Sequence, residues 1–220
     1  MDWLFDRIRP LLGRTATAAL VLAIVASACT SSAEDAKNRT TGAEANSFAG
    51  KLLVAAPGMP DPRFAKTVIF MVHHDSNGAM GLVVNRVLGV DSAARLLEGA
   101  GVGIKGIDRD AKVRVHYGGP VQPQRGFVLH TGDYAEKSTL AVTDRVSMTA
   151  ASKILRAIAK GKGPDQKILA VGYSGWGAGQ LEGEIARKDW VVVPSDDRLV
   201  FDSDMASKWR RAMDRHGVDL

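Results

Sequence analysis

The chain has 220 residues, with 29 Lys and Arg against 24 Asp and Glu, a net charge of +5, 23 glycines and one cysteine. Its apolar share of 45% is that of a globular protein and excludes collagen-like, coiled-coil and wholly disordered classes, while a lone cysteine excludes a disulfide framework or a Cys-rich zinc site. No run reaches the roughly 18 apolar residues of a spanning helix, and acids and bases interleave, so composition names neither a polytopic membrane protein nor a nucleic-acid partner.

Residues 1–28 read as a lipoprotein-type signal peptide. Arg7, Arg9 and Arg14 form a positive start, Thr15 to Ala28 is an uncharged run too short to span, and Cys29 stands at the cut after Ala26-Ser27-Ala28. This resembles a bacterial lipobox in which Cys29 is acylated, with Ala26 where Leu is usual. Residues 29–47 hold almost no large apolar side chains and cannot repay the entropy of ordering, so they read as a flexible tether. The leader's excess of positive charge and the tether's excess of negative charge cancel, and the net +5 belongs to a domain over 48–220.

Within that domain Leu52 to Ala56 reads as a buried strand stopped by Pro57, and Thr67 to His74 as a central strand apolar on both faces. Asn77-Gly78 signals a hairpin into a strand from Gly78 to Asn85. A two-residue type I′ turn there sets Ser76 opposite Ala79, His74 opposite Gly81 and Phe70 opposite Asn85, with the small Gly81 leaving room beside His74. Ser92 to Glu98 is a short helix capped by Asp91 or Ser92, followed by a Gly-rich connector. Val113 to Tyr117 alternates, with Arg114 and His116 opposite the apolar face, and stops at Gly118-Gly119-Pro120. Phe127 to His130 and Ser138 to Val142 are further strands.

Thr149 reads as the cap of a helix over Ala150 to Lys160, with Ile154, Leu155 and Ile158 inward and Lys153, Arg156 and Lys160 as a solvated basic stripe. Ile168 to Tyr173 is a strand entering a Gly-rich turn, Leu181 to Arg187 a short helix, and Trp190 to Val193 a strand ended by Pro194. The last helix, Asp204 to about His216, spaces Met205, Trp209 and Met213 four apart as its core stripe.

No catalytic motif is complete. Gly172-Tyr173-Ser174 begins like a nucleophile elbow, but Trp176 stands where Gly is required. Gly175, Gly177 and Gly179 begin like a dinucleotide fingerprint, but its closing position is Gln180 and the helix beyond is too short for a crossover. Among His73, His74, His116, His130 and His216 there is no metal-ligand spacing, and neither metal nor cofactor is expected. His74 with Asp75 has the makings of an oriented acid/base pair that His116 and His130 face across the sheet. Glu182 and Glu184 suit free N–H groups at a helix start.

Together these blocks resemble the YqgE/AlgH family of bacterial proteins. The resemblance runs through Gly50-Lys51-Leu52-Leu53, Asp61-Pro62-Arg63-Phe64, His74-Asp75, Gly78-Ala79-Met80-Gly81 and Asn85-Arg86. It continues through Gly118-Gly119-Pro120-Val121, Leu129-His130, Gly172-Tyr173, Gly175-Trp176 and Gly179-Gln180-Leu181-Glu182, with Glu184 and Trp190 beyond. Val87 departs from the family's Pro after the Asn-Arg pair. The resemblance implies a single α+β domain with a strongly bent, partly barrel-like sheet and flanking short helices. It brings no established catalytic residue or cofactor, and one branch is named as a transcriptional regulator of alginate synthesis.

The expected function is a non-enzymatic binding or regulatory module that recognises a protein or small ligand. His74, Asp75, Asn85, His130, Trp176, Gln180 and Glu182 are its candidate binding residues. The alternatives are a cytoplasmic transcriptional regulator of the AlgH type and a hydrolase-like enzyme with a His/carboxylate site. The leader places the chain in the cell envelope, anchored to the membrane by a lipid on Cys29 and away from nucleic acid; the family resemblance implies the cytoplasm instead.

Overall fold

A computed structural model describes residues 47–99 and 101–216. The signal, tether and Cys29 readings lie outside the described residues. From Phe48 onward the chain forms one compact unit.

Ten strands and five short helices follow in chain order among the described residues: β1 Lys51–Ala55, β2 Val68–Asp75, β3 Gly78–Val83, β4 Val87–Ser92, α1 Ala93–Gly99, β5 Lys112–Tyr117, β6 Val121–Thr131, β7 Leu140–Ala141, β8 Val146–Ala150, α2 Ala151–Ile158, β9 Lys167–Gly177, α3 Gln180–Ala186, β10 Trp190–Pro194, α4 Asp197–Phe201 and α5 Met205–Met213. The main path of the sheet is β10-β1-β2-β3-β9-β6-β8-β7, and β5 joins β4 antiparallel and β9 parallel. All other pairings are antiparallel.

Strands β1, β2 and β3 are buried on both faces, which is why they read as continuous apolar runs. Leu52, Val54, Phe70 and Leu82 face one cluster, and Leu53, Ala55, Ile69 and Val83 face the other. The first cluster also takes Phe127, Leu129, Val146 and Ile168 from β6, β8 and β9, so the sheet curls until its distant strands share one core. Leu199, Val200 and Phe201 of α4 and Ala212 of α5 plug that half-barrel. Leu181 of α3, with Phe48, Met59 and Phe64, covers the second face. The α+β expectation of a bent, partly barrel-like sheet with flanking helices describes this architecture.

Several local expectations are corrected. The β2–β3 turn is Ser76-Asn77, so Asp75 opposes Gly78 and His74 opposes Ala79. A type I′ turn needs positive φ at both central residues, and neither Ser76 nor Asn77 has it. Instead Asp75 Oδ1 accepts the Asn77 amide at 2.7 Å and Gly78 takes φ +142. This is the Asp-first, Gly-fourth chemistry of a common β-turn. A bulge between Met71 and His73 shifts the register again, placing Phe70 opposite Leu82 and Gly81 opposite Met71. Gly81 therefore makes no room for His74: a Cβ there would lie 2.5 Å from Ile69 Cγ2 and 3.0 Å from Met71 Sδ.

Thr149 lies inside β8 and caps nothing; the N-cap of α2 is Ala150, without a side-chain bond. Ile154, Leu155 and Ile158 are buried as expected, and Arg156 and Lys160 are exposed. The Gly-rich segment after Tyr173 is no turn but the second half of the 11-residue β9. Its Gly172 crosses Gly118-Gly119 so closely that a Cβ on Gly172 would meet Gly119 O at 2.4 Å, and one on Gly118 would meet Gly172 O at 2.3 Å. The strand expected over Ser138 to Val142 shrinks to two residues in β7, whereas that expected over Phe127 to His130 extends to the 11 residues of β6. Ser92 ends β4, and its hydroxyl donates to Arg109 O at 2.7 Å.

On α5, Met205, Trp209 and Met213 are only partly buried, and the fully covered positions are Lys208 and Ala212. Lys208 Nζ donates to Val200 O at 2.9 Å and Asp202 O at 3.2 Å, satisfying carbonyls at the end of α4, and burial pushes its pKa down to about 8. His116 on β5 is 0% exposed, and neither ring nitrogen has a hydrogen-bond partner. Burial, then the charges of Lys208 and Arg114, push its pKa down to about 3, against a small opposing influence from the Val84 backbone.

Candidate functional site

The turn end of β2, the second half of β9 and the start of α3 converge beside the loop that follows β1. His74, at the end of β2, uses both ring nitrogens: Nδ1 accepts the Phe48 amide at 3.1 Å, and Nε2 donates to Glu182 Oε1 at 2.8 Å. An Nδ1 that accepts carries no proton, so the pair of bonds selects the neutral Nε2–H tautomer. The Phe48 ring lies 4.6 Å from the imidazole. Glu182 stands in the first turn of α3, where its own backbone N–H and then His74 hold its carboxyl below the usual range. His74 and Glu182 are thus brought together as a tie between the N-terminal edge of the domain and α3.

Two residues further along α3, Glu184 collects three donors. Its Oε2 accepts the indole N–H of Trp176 at 2.9 Å and of Trp190 at 2.8 Å, and its Oε1 accepts Gln180 Nε2 at 2.9 Å. Gln180 Oε1 in turn accepts the Gly177 amide at 3.1 Å. The two indoles meet edge to face at 6.0 Å, and Phe64 meets Trp190 edge to face at 5.5 Å. Two rings from separate strands are therefore fixed by one carboxylate on a short helix.

These rings line a cleft of about 650 Å³ together with the 59–64 loop and Pro120-Val121. Apart from Glu184, its charged groups come as pairs: Arg63 grips Asp61 with contacts of 2.7 to 3.1 Å, and Arg187 meets Asp189 at 3.0 Å. The size falls in the range of small-ligand pockets, and the mix of aromatic walls with a few polar groups is their usual lining.

The remaining candidates sit elsewhere. Asn85 bridges backbone: its Oδ1 accepts the Val68 amide at 2.8 Å and its Nδ2 donates to Lys66 O at 2.9 Å. Arg86 beside it donates to the carbonyls of Arg63 and Ala65, so the Asn-Arg pair anchors the loop that lines the cleft. Asp75 organises the hairpin turn and meets the exposed His73 at 3.3 Å, and its carboxyl is held low first by the Asn77 amide. His130 is fully buried on β6, with Nδ1 donating to Thr131 O at 2.8 Å and Nε2 accepting from Thr149 Oγ1 at 2.9 Å. Burial pushes its pKa down. His116 and His130 do not join His74. Among the described residues no group of three His, Cys, Asp or Glu could hold a metal ion, and no helix is long and apolar enough to cross a membrane.

Glu184 and Trp190 were the residues that sequence reasoning left out of the site. The usable signal was an acid on a short helix flanked in sequence by two tryptophans, each at the end of a strand that borders it.

A curled α+β sheet with an aromatic, carboxylate-braced cleft is the class this domain defines. An AlgH-like family model matches residues 52–220, and the chain belongs to that family. It is 48% identical to the UPF0301 protein of Rhodospirillum rubrum over 170 residues, covering 77% of this chain and 88% of that one. It is 43% identical to the UPF0301 protein of Methylococcus capsulatus, covering 78% and 92%. Its fold is similar to the solution structure of the AlgH protein from Pseudomonas aeruginosa, with a TM-score of 0.67, 37% identity and coverage of 80% and 92%. A crystal structure of a Corynebacterium diphtheriae protein shares the fold alone, at a TM-score of 0.58 and 22% identity, covering 76% and 85%.

Proposed function

We propose that the domain is a non-enzymatic binding module that captures a small ligand or a short protein segment in the cleft walled by Trp176 and Trp190. The observation that carries this reading is the triple engagement of Glu184, which fixes both indoles, largely buried themselves, where their remaining surface borders the cleft. Preorganised aromatic walls lower the entropy cost of capture. The same commitment argues against a hydrolase: Glu184, His74 and His130 all spend their polar atoms on the protein itself, leaving no unengaged base among them.

The test follows the indole N–H resonances of Trp176, Trp190 and Trp209 while the protein is titrated with arrayed small carboxylates, amines and proline-containing peptides. Ligands of the cleft move the Trp176 and Trp190 signals together and leave Trp209 in place. Turnover of ester, phosphate or peptide substrates that disappears in His74→Ala overturns the reading. Salt-dependent DNA binding lost on neutralising Arg156 and Lys160 overturns it in favour of a regulator.

Attachment to the cell envelope through Cys29 belongs to the same proposal, because the layout of residues 1–29 is that of a lipoprotein leader. Incorporation of a palmitate analogue in a bacterial host, abolished by Cys29→Ser, supports it. Unlabelled, uncleaved protein in the cytosol replaces it with the family's usual compartment.

A further inference from the structure

A second hollow, of about 510 Å³, opens on the sheet beyond the curled core. Its floor is built from four consecutive strands: Met80 on β3, Tyr173 on β9, Phe127 on β6 and Met148 on β8. All four pack against the core inside the curl, whereas Trp176 belongs to the cluster on the opposite face. Trp176 lines both this hollow and the Glu184-braced cleft, whereas Trp190 lines the cleft and not the hollow. Phe127 and Tyr173 meet edge to face at 6.0 Å, so the floor combines a fixed aromatic corner with two adaptable thioethers.

Above this floor stands Arg125. Its guanidinium carbon lies 5.2 Å from the centroid of Phe127, and among the described residues its one side-chain hydrogen bond is a long 3.4 Å contact with Gln122. Among the described residues no carboxylate pairs with it, in contrast to Arg63, Arg187 and Arg211, each of which grips an aspartate. A guanidinium over a ring still has its fork of N–H donors to offer, and that fork suits a carboxylate. Asp75, beside His73, also lines the hollow. Its negative charge repels a phosphate dianion more strongly than a carboxylate, so the ligand that suits Arg125 here carries a single negative charge.

We propose that this hollow binds monoanionic carboxylates with a flat or flexible apolar body, the carboxylate on Arg125 and the body against Met80, Phe127, Met148 and Tyr173. Trp176 borders both this hollow and the cleft under Proposed function, but Arg125, Met80 and Met148 line the hollow and not the cleft, so either reading can fail alone.

The experiment uses the full chain with 13C-methyl methionine and two probes of nearly one shape, 2-naphthoate and its neutral analogue 2-naphthamide. Naphthoate shifts the Met80 and Met148 methyl signals saturably, and the amide binds about tenfold or more weakly, as expected for losing a charge-assisted pair of bonds. Arg125→Gln brings naphthoate down to the affinity of the amide, while the indole signal of Trp190, which lines the cleft and not the hollow, does not move with either probe. Equal binding of acid and amide, unmoved Met80 and Met148 signals at millimolar naphthoate, or undiminished binding by Arg125→Gln overturns the proposal. The acid-to-amide comparison on the unaltered protein decides it even if the variant fails to fold.

Discussion

Lowering the pH tests His116, because its imidazole is sealed in β5 with both nitrogens unpaired and with Lys208 and Arg114 as neighbours. Its folded pKa, about 3, lies below the ordinary 6.5, so the unfolded chain binds a proton that the folded one refuses. The stability linked to this group is fully present above pH 6.5 and is lost as pH falls toward 3. Each unit inside that window costs about 1.4 kcal/mol, so going from about pH 7 to about pH 5 removes about 2 kcal/mol. The perturbation that isolates the effect is His116→Leu, which takes away the titrating ring together with its two unpaired nitrogens. Urea unfolding of both proteins at the two pH values gives the difference directly. The unaltered protein should lose about 2 kcal/mol more than the variant on acidification. Equal losses would refute the reasoning and mean that His116 finds a partner when protonated.

Glu184→Ala leaves two buried indole N–H groups without an acceptor and should cost about 2 to 4 kcal/mol by urea unfolding, with Glu184→Gln costing less because one amide oxygen remains. If Glu184→Ala unfolds at the original midpoint, the brace carries no energy. Gly172 and Gly179 both have φ of +71, but a Cβ on Gly172 strikes Gly119 O whereas one on Gly179 meets nothing within 4 Å. Gly179→Ala should therefore cost about 1 kcal/mol and Gly172→Ala more than about 3, or yield no soluble protein. Similar midpoints for the two variants would mean that the strand crossing yields at little cost.

What the sequence announces is what burial dictates locally. Leu52 to Ala56 and Thr67 to His74 are legible because a strand covered on both faces has no choice but continuous apolarity. Strand β4 was missed: Val87 and Val90 are 40% and 61% exposed, so it has little buried face to signal it. Strand β8 hid behind Thr149, whose hydroxyl suits a cap but is claimed here by His130 from 19 residues away. Gly172 falls within the strand expected over Ile168 to Tyr173, yet no strand pattern announces that the fold spends its freedom on letting two backbones cross. The tie of His74 to Glu182 spans 108 residues and that of Trp190 to Glu184 crosses from a strand to a helix, so no local period could predict either. The sequence did place Trp176, Gln180 and Glu182 in one region, because they share a short stretch of chain. It also proposed Asn85 for that region, whereas its amide is used in holding the loop that lines the cleft.

Strand β9 pairs with β5 and β6 along its first half and with β3 along its second. It therefore joins a meander made early in the chain to strands made in the middle, and only β10, arriving later still, closes on β1. A ribosome that has released residues up to Gln166 has delivered three sets of strands, β1-β2-β3, β4-β5 and β6-β8-β7, with no strand pairing to unite them. Folding must wait for almost the whole chain, and the wait is set by topology, because pairing residues so distant in sequence requires closing long loops before any stabilising contact forms. Truncation anywhere before Lys167 is expected to yield exposed sheet edges and aggregation, in contrast to the stable fragments that a chain of locally closed units would give.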